Sequence, residues 1–331
     1  IVDTMIAGSL VDENRFRYDL GSMGRDYLGR GKNEAVLNET AALWGVDPKS
    51  EMYKLPAMYV GEYAERDAEI TLELWQQMKQ EIQHQDIESI FDLETELFPC
   101  LVDMRFLGVR VDVEAANQLK QKLLAEEKEC LQKVKKETSV DIQIWAARSI
   151  AQVFEKLNLP FDRTEKTNSP SFTKNFLKNH PHPIVKHIAR AREINKAHTT
   201  FIDTILKHEH KGRIHAEINQ LRSDQGGTVT GRFSYNNPNL QQIPARNKEL
   251  GPMIRSLFIP EEGCKWGVFD YSQQEPRLVV HYAALQNLYG VDDVLDAYQE
   301  GDADFHRIVA EMADIPREQA KTINLGLFYG M

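Results

Sequence analysis

The 331-residue sequence is poor in cysteine: Cys100, Cys130 and Cys264 stand far apart and are odd in number. Three scattered thiols build neither a disulfide framework nor a zinc site. All three are expected to be buried apolar residues in a chain suited to a reducing compartment. No apolar run approaches the roughly 18 residues that span a bilayer, so no membrane partner is expected. A basic segment followed by an apolar core is missing at the start, so no signal peptide is visible. Repeats and low-complexity tracts are absent too. Positive charge is in deficit: 40 Lys and Arg against 50 Asp and Glu leave a net −10.

What is present is ordinary in bulk, with 42 % hydrophobic and 27 % charged residues, the balance of a globular protein. The charge is unevenly spread: residues 1–100 carry −11, residues 101–200 carry +6 and residues 201–331 carry −5. A basic middle is compatible with nucleic-acid binding by one region, and solvated helical faces explain it equally well. The opening Ile1-Val2-Asp3-Thr4-Met5 reads as the end of a strand, and Met331 falls inside a helical pattern. The chain is therefore expected to be a piece of a longer protein.

Residues 60–85 contain no proline and no glycine after Gly61, and Ala64, Ala68, Leu72 and Trp75 recur at helical spacing, predicting a helix. A second helix runs from Ile87 to about Leu107, where Gly108 breaks it. Val109–Val111 predicts a short strand, and Asp112–Glu137 a long charged helix with apolar Leu119, Leu123, Leu124 and Leu131. Prolines 160, 170, 181 and 183 interrupt the following stretch, with a turn at 168–171. Helix returns over 184–210. Then come a strand over Arg213–Gln220, a loop-rich stretch over 223–252, a strand near Lys265–Asp270, a helix from Pro276 and a final helix from about Pro316.

The apolar run ending in Phe269-Asp270 predicts a buried strand with Asp270 at its carboxyl end. That would hold an anionic oxygen on a rigid element beside a loop, as a magnesium site requires. Pro276 suits the first turn of a helix, and Glu275 stands just before it. The full string Asp270-Tyr271-Ser272-Gln273-Gln274-Glu275-Pro276-Arg277 resembles motif A of family A DNA polymerases, with Pro276 in place of the usual leucine. The resemblance implies that Asp270 binds both catalytic metal ions, assisted by the Tyr271 carbonyl. It also implies that Glu275 lies under the incoming sugar and excludes a 2′-hydroxyl.

Arg317, Lys321, Leu325 and Tyr329 are spaced by four. On a helix each step of four advances about 40°, so they form a slowly turning stripe ~18 Å long. The cations lie at the amino end, where unpaired N–H groups also favour anions. An amphipathic helix with solvated cations would look the same. The string Arg317–Gly330 resembles motif B, the fingers helix of the same family. By resemblance Arg317 and Lys321 hold the triphosphate and Tyr329 stacks at the insertion site. Leu325 stands where the family usually has Phe or Tyr, and an aliphatic side chain offers neither ring face nor phenol hydroxyl; discrimination against dideoxynucleotides is expected to differ accordingly. Asp304-Phe305-His306 resembles the segment before that helix, with His306 expected at the β-phosphate.

Thr230-Gly231-Arg232 and Pro238–Arg246 make a polar, Gly/Pro/Asn-rich stretch. Its side chains can donate to minor-groove acceptors and phosphates, which every base pair presents. The stretch resembles the family's primer-binding motif, implying that Arg232 contacts the primer terminus while Asn239, Gln241 and Arg246 contact the duplex. Tyr63 and Asp67 are one helical turn apart. They resemble the third motif of DEDD-type 3′–5′ exonucleases, with Asp67 a metal ligand and Tyr63 orienting the attacking water.

The resemblance implies a helix-rich α+β fold: an RNase H-like exonuclease remnant followed by thumb, palm and fingers elements of a right-hand polymerase, truncated at both ends. The expected divisions are 1–85 exonuclease, 86–215 thumb, 216–285 palm and 286–331 start of fingers. The implied activity is template-directed DNA synthesis from dNTPs on a primer–template with two Mg²⁺, and a divalent metal at the exonuclease site. Accessory replication proteins and the cytoplasm of a bacterium or phage-infected cell belong to the same picture. A DEDD exonuclease without polymerase activity and a non-catalytic DNA-binding derivative remain as alternatives.

Overall fold

A computed structural model describes residues 2–331 except Gln225, Arg246, Asp302 and Ala303. The chain divides into two compact units, residues 1–263 and 264–331.

The first unit opens with three short helices, α1 (Thr4–Val11), α2 (Leu20–Leu28) and α3 (Ala35–Trp44), which pack on the long α4 (Ala57–His84). Asp3 is not strand: its side chain accepts from Met5 N and caps α1, and a capped first turn outweighs the β-branched Ile-Val start. Helix α4 confirms the predicted helix; of the apolar positions that marked it, Trp75 packs against the core while Ala64, Ala68 and Leu72 are exposed. Ile70, Leu74, Met78 and Ile82 are its buried residues, whereas Leu72 is 61 % exposed. Side-chain size does not choose between Leu72 and Leu74; the helices α1, α2 and α3 that pack on α4 do. Leu74, Met78 and Ile82 meet Ile6, Ala7, Tyr18 and Met23 in one core.

Helix α5 (Glu88–Leu107) ends at Gly108. This residue has φ +65°, and a Cβ there would stand 2.7 Å from the Ile214 carbonyl oxygen, so the close approach and the backbone both require glycine. Strand β1 (Val109–Arg110) follows, then α6 (Val113–Thr138), capped by Asp112. Next come α7 (Ala147–Lys156), the β2 (Asp162–Arg163) and β3 (Pro170–Ser171) ribbon, α8 (Lys174–Asn179) and α9 (Pro183–Lys196). Helices α6 and α9 pack along one another and run through two successive cores. A π-helical turn, Ala197–Ile202, leads into α10 (Asp203–His208) and β4 (Glu209–His210).

The strand predicted over 213–220 is two strands in different sheets. β5 (Arg213–Ile214) lies between β1 and β4, while β6 (Glu217–Asn219) pairs antiparallel with β7 (Ser234–Asn236). Residues 220–233 thus form a long hairpin connection, and α11 (Leu250–Arg255) closes the unit.

The second unit holds α12 (Gln274–Leu285), α13 (Val291–Gln299), α14 (Phe305–Ala313) and α15 (Arg317–Phe328). Its core centres on Val280, Val291 and Tyr298. The strand predicted near 265–270 is not formed: Val268 and Phe269 are 87 % and 96 % exposed in irregular backbone. A strand needs a neighbour to pair its N–H and C=O groups, and among the described residues of this unit there is no strand. Burial of all three cysteines fails as well. Cys130 is buried, where desolvation pushes its thiol pKa up, but Cys100 and Cys264 are exposed. No described helix is long and apolar enough to cross a membrane.

Candidate active site

In the second unit, Asp270 and Tyr271 are exposed in the segment leading to α12. The turn after them is held by residues the sequence reading passed over. Gln273, at φ +53°, accepts through Oε1 from the backbone N–H of Phe305 at 2.9 Å and from the Tyr298 hydroxyl at 3.3 Å. Arg277 donates to the Ser272 carbonyl at 3.0 Å and lies 4.6 Å over the Tyr298 ring. Three different helices therefore brace the turn that carries the carboxylate. The signal was available in the sequence as a glutamine and an arginine flanking Glu275, but their partners are distant in the chain.

Glu275 sits in the first turn of α12 and accepts from the Tyr329 hydroxyl at 2.5 Å. This bond joins the two segments that resemble motifs A and B. Along α15, Lys321 is exposed, Leu325 is half-buried and Tyr329 is 65 % exposed. Arg317 donates from Nε to Asp304 Oδ2 at 2.5 Å, and this partner holds the Asp304 pKa below the usual carboxylate range. His306 is buried and pairs through Nδ1 with Asn324 Nδ2 at 3.1 Å. Burial lowers its pKa, and the nearby Arg317 and Lys321 cations act in the same direction against Asp304. The imidazole ties α14 to α15.

In the first unit, Arg232 is exposed, and its carbonyl accepts from the Thr228 hydroxyl at 2.7 Å. Asn239 caps the 3₁₀ turn Leu240–Gln242 by accepting from Gln241 N at 3.0 Å. Gln241 donates to the Phe233 carbonyl at 2.9 Å. Arg246 lies outside the described residues. Glu217, Asn236, Asn237, Asn239 and Gln242 line an open cleft of about 630 Å³, whose side chains are mostly amides able both to donate and to accept.

The same unit brings Tyr63 and Asp67 together on α4. Lys32 Nζ donates to Asp67 Oδ2 at 2.8 Å and to the Tyr63 hydroxyl at 3.2 Å, and stands 5.3 Å over the Tyr63 ring. Burial alone would lower the Lys32 pKa, but hydrogen bonds to Asp67 and Tyr63 outweigh it and the net shift is upward. The other Asp67 oxygen, Oδ1, is buried with no hydrogen-bond partner, an orphaned acceptor of the kind a cation would satisfy. Among the described residues no three His, Cys, Asp or Glu side chains form a ready metal cluster. Asp270 and the Tyr271 carbonyl are hard oxygen donors that fit a magnesium site completed by substrate phosphates.

The profile of DNA polymerase family A matches residues 113–331. The chain belongs to that family. A DNA-directed DNA polymerase of Pseudomonas phage M6 is 37 % identical over 347 aligned residues, covering 99 % of this chain and 52 % of the phage protein. The DNA polymerase DpoZ of Acinetobacter phage SH-Ab 15497 is 33 % identical over 361, covering 99 % and 57 %. Among solved structures, the POL domain of Pol1 from M. smegmatis, in complex with DNA primer-template and dNTP, aligns with a TM-score of 0.73 at 25 % identity. That alignment covers 99 % of this chain and 54 % of the mycobacterial one. The chain thus spans about half the length of each of these relatives, and its helix-rich fold is that of a family A polymerase domain.

Proposed function

We propose that this chain is the part of a template-directed DNA polymerase that presents the first catalytic carboxylate, the triphosphate stripe and the primer loop. The observation that carries the reading is the Tyr329–Glu275 hydrogen bond. It links the two motif segments within one small unit, as a site for one nucleotide requires. In the reaction the primer 3′-oxygen bonds to the α-phosphorus of a dNTP, the bond from that phosphorus to the bridging oxygen breaks, pyrophosphate leaves, and the hydroxyl proton passes to solvent. Magnesium ions held at Asp270 and the Tyr271 carbonyl, two of them on the family pattern, would supply positive charge to the attacking and leaving oxygens.

The protein's own work is positioning and charge. Lys321 and the free face of the Arg317 guanidinium offer cations at the start of α15, while Asp304 orients Arg317 and His306 supports both helices. Glu275, tied by Tyr329, would lie under the incoming sugar and exclude a ribose 2′-hydroxyl. Arg232, Asn239, Gln241 and Arg246 would hold the primer–template. On this reading residues 1–85 are an exonuclease remnant, 86–215 thumb, 216–285 palm and 286–331 the start of the fingers, in a protein of bacterial or phage-infected cytoplasm. Tyr63 and Asp67 would serve 3′–5′ excision with a divalent ion at Asp67.

Replacement Asp270→Ala in the full-length enzyme tests the polymerase reading by single-turnover primer extension. Extension at the wild-type rate would overturn it.

A further inference from the structure

Residues 220–224 leave strand β6 and pass into the helical layer built by the first ninety-odd residues. Gln220 is buried and donates from Nε2 to the Glu94 carbonyl at 2.6 Å, with the Glu94 carboxylate beside it. The Leu221 side chain joins the core of Ile6, Tyr18, Leu74 and Met78. The Ser9 hydroxyl donates to the Arg222 carbonyl at 2.7 Å. Asp224 then accepts from the backbone N–H of Tyr18 at 2.7 Å. The chain turns back at once: Ser223 and Gly226 bond reciprocally at 2.7 and 3.2 Å. A Cβ on Gly227, at φ +95°, would stand 2.1 Å from the Leu221 carbonyl oxygen, so only glycine fits this crossing. Three residues on, Thr230-Gly231-Arg232 begins.

One limb of the primer loop is therefore anchored on helices α1 and α5 and on the Tyr18 loop, not on the hairpin that the loop connects. Asp224 is exposed, and a carboxylate in a loop that meets DNA should weaken binding by repelling phosphate. The bond to the Tyr18 N–H is the task that the geometry supplies for it. Resting on the polymerase reading, we propose that Asp224 is a positioning residue for the primer loop: through Tyr18 it ties the loop to the exonuclease-side helices and holds Arg232 in register for the primer terminus.

The two roles of the carboxylate predict opposite signs. If Asp224 acts only as a charge, Asp224→Ala and Asp224→Asn both tighten DNA binding. If its oxygen positions the loop, Asp224→Ala weakens binding although a negative charge is gone, whereas Asp224→Asn keeps an acceptor and does not. The test is the Kd of the full-length polymerase for a fluorescent primer–template, measured with the melting temperature and the rate of single-nucleotide extension at saturating DNA. The expected result is about a ten-fold rise in Kd for Asp224→Ala, the scale of one hydrogen bond to a charged group. Asp224→Asn should lie at or below the wild-type Kd, with melting temperatures unchanged. Ser9→Ala, which removes the neighbouring tie, should raise Kd in the same direction by a smaller factor. Equal tightening in both Asp224 variants overturns the proposal, as does equal weakening in both or a loss that follows the melting temperature. A wild-type enzyme that binds and extends a primer while Asp224→Ala matches it overturns this proposal alone. A wild-type enzyme that neither binds nor extends primer–template overturns the polymerase reading and this proposal with it.

Discussion

Two carboxylates in this chain meet their surroundings in opposite ways. Asp67 lies on a long helix backed by Ile70 and Leu74, with Lys32 on one oxygen and nothing on the other. Asp270 lies on irregular backbone, exposed, and the turn after it is braced by Arg277 on the Ser272 carbonyl and by Tyr298 and Phe305 on Gln273. The first is held by packing of its own element. The second is held by side-chain hydrogen bonds to a turn. A carboxylate on packed helix needs no further element to keep its place, whereas one at the end of an unpaired apolar run depends on whatever pairs with that run.

Substitutions can break that contrast in order of expected size. Asp270→Ala should reduce primer extension about a thousand-fold or more, the scale of losing a charge-stabilising group at a reacting centre. Because the residue is exposed, the melting temperature should not change; a lowered melting temperature would mean that Asp270 is structural. Leu74→Ala removes a fully buried side chain from the core behind Asp67. It should cost about 2–5 kcal/mol, read from urea unfolding, and a loss under about 1 kcal/mol would show that this face is not packed. Lys32→Met would leave the Asp67 carboxylate without its cation, at a cost of about 1–3 kcal/mol. The same variant should alter excision without altering extension, and equal changes in both would deny Asp67 a separate role.

The smallest effect is a pH dependence in the second unit. Arg317 depresses the Asp304 pKa, so the folded state gains from an ionised Asp304. That gain is complete above the ordinary carboxylate pKa near 4 and is lost as pH falls through the depressed value. The urea midpoint of wild type should therefore drop more than that of Asp304→Asn between pH 6 and pH 3. Parallel curves would show that the ion pair contributes nothing.

Much of the helical frame was legible in the sequence. Asp112 before a charged apolar repeat marks the start of α6, and Gly108 marks the end of α5, because capping and glycine conformations act over a few residues. The segments Asp270–Arg277 and Arg317–Gly330 were legible as motifs, and the family assignment bears out the resemblance they carried. Other features were not. The buried face of α4 was not legible, since Leu72 and Leu74 are equally apolar and only the neighbouring helices choose between them. Cys100 and Cys264 are exposed for the same reason: a side chain's type does not say what covers it. The bracing by Gln273, the Lys32 bridge and the Asp224 anchor join residues tens to hundreds of positions apart.

The sequence by itself determined the longer helix spans, the break at Gly108, the start of α6 at Asp112 and the identity of the motif residues, because each depends on local sterics and on spacing within a few turns. The tertiary structure decided which helix face is inside, that 264–271 stays unpaired within its unit, and which distant groups hold Asp67, Asp224 and Asp270. Those outcomes depend on what happens to lie within hydrogen-bond reach after folding, and no spacing rule along the chain carries that information.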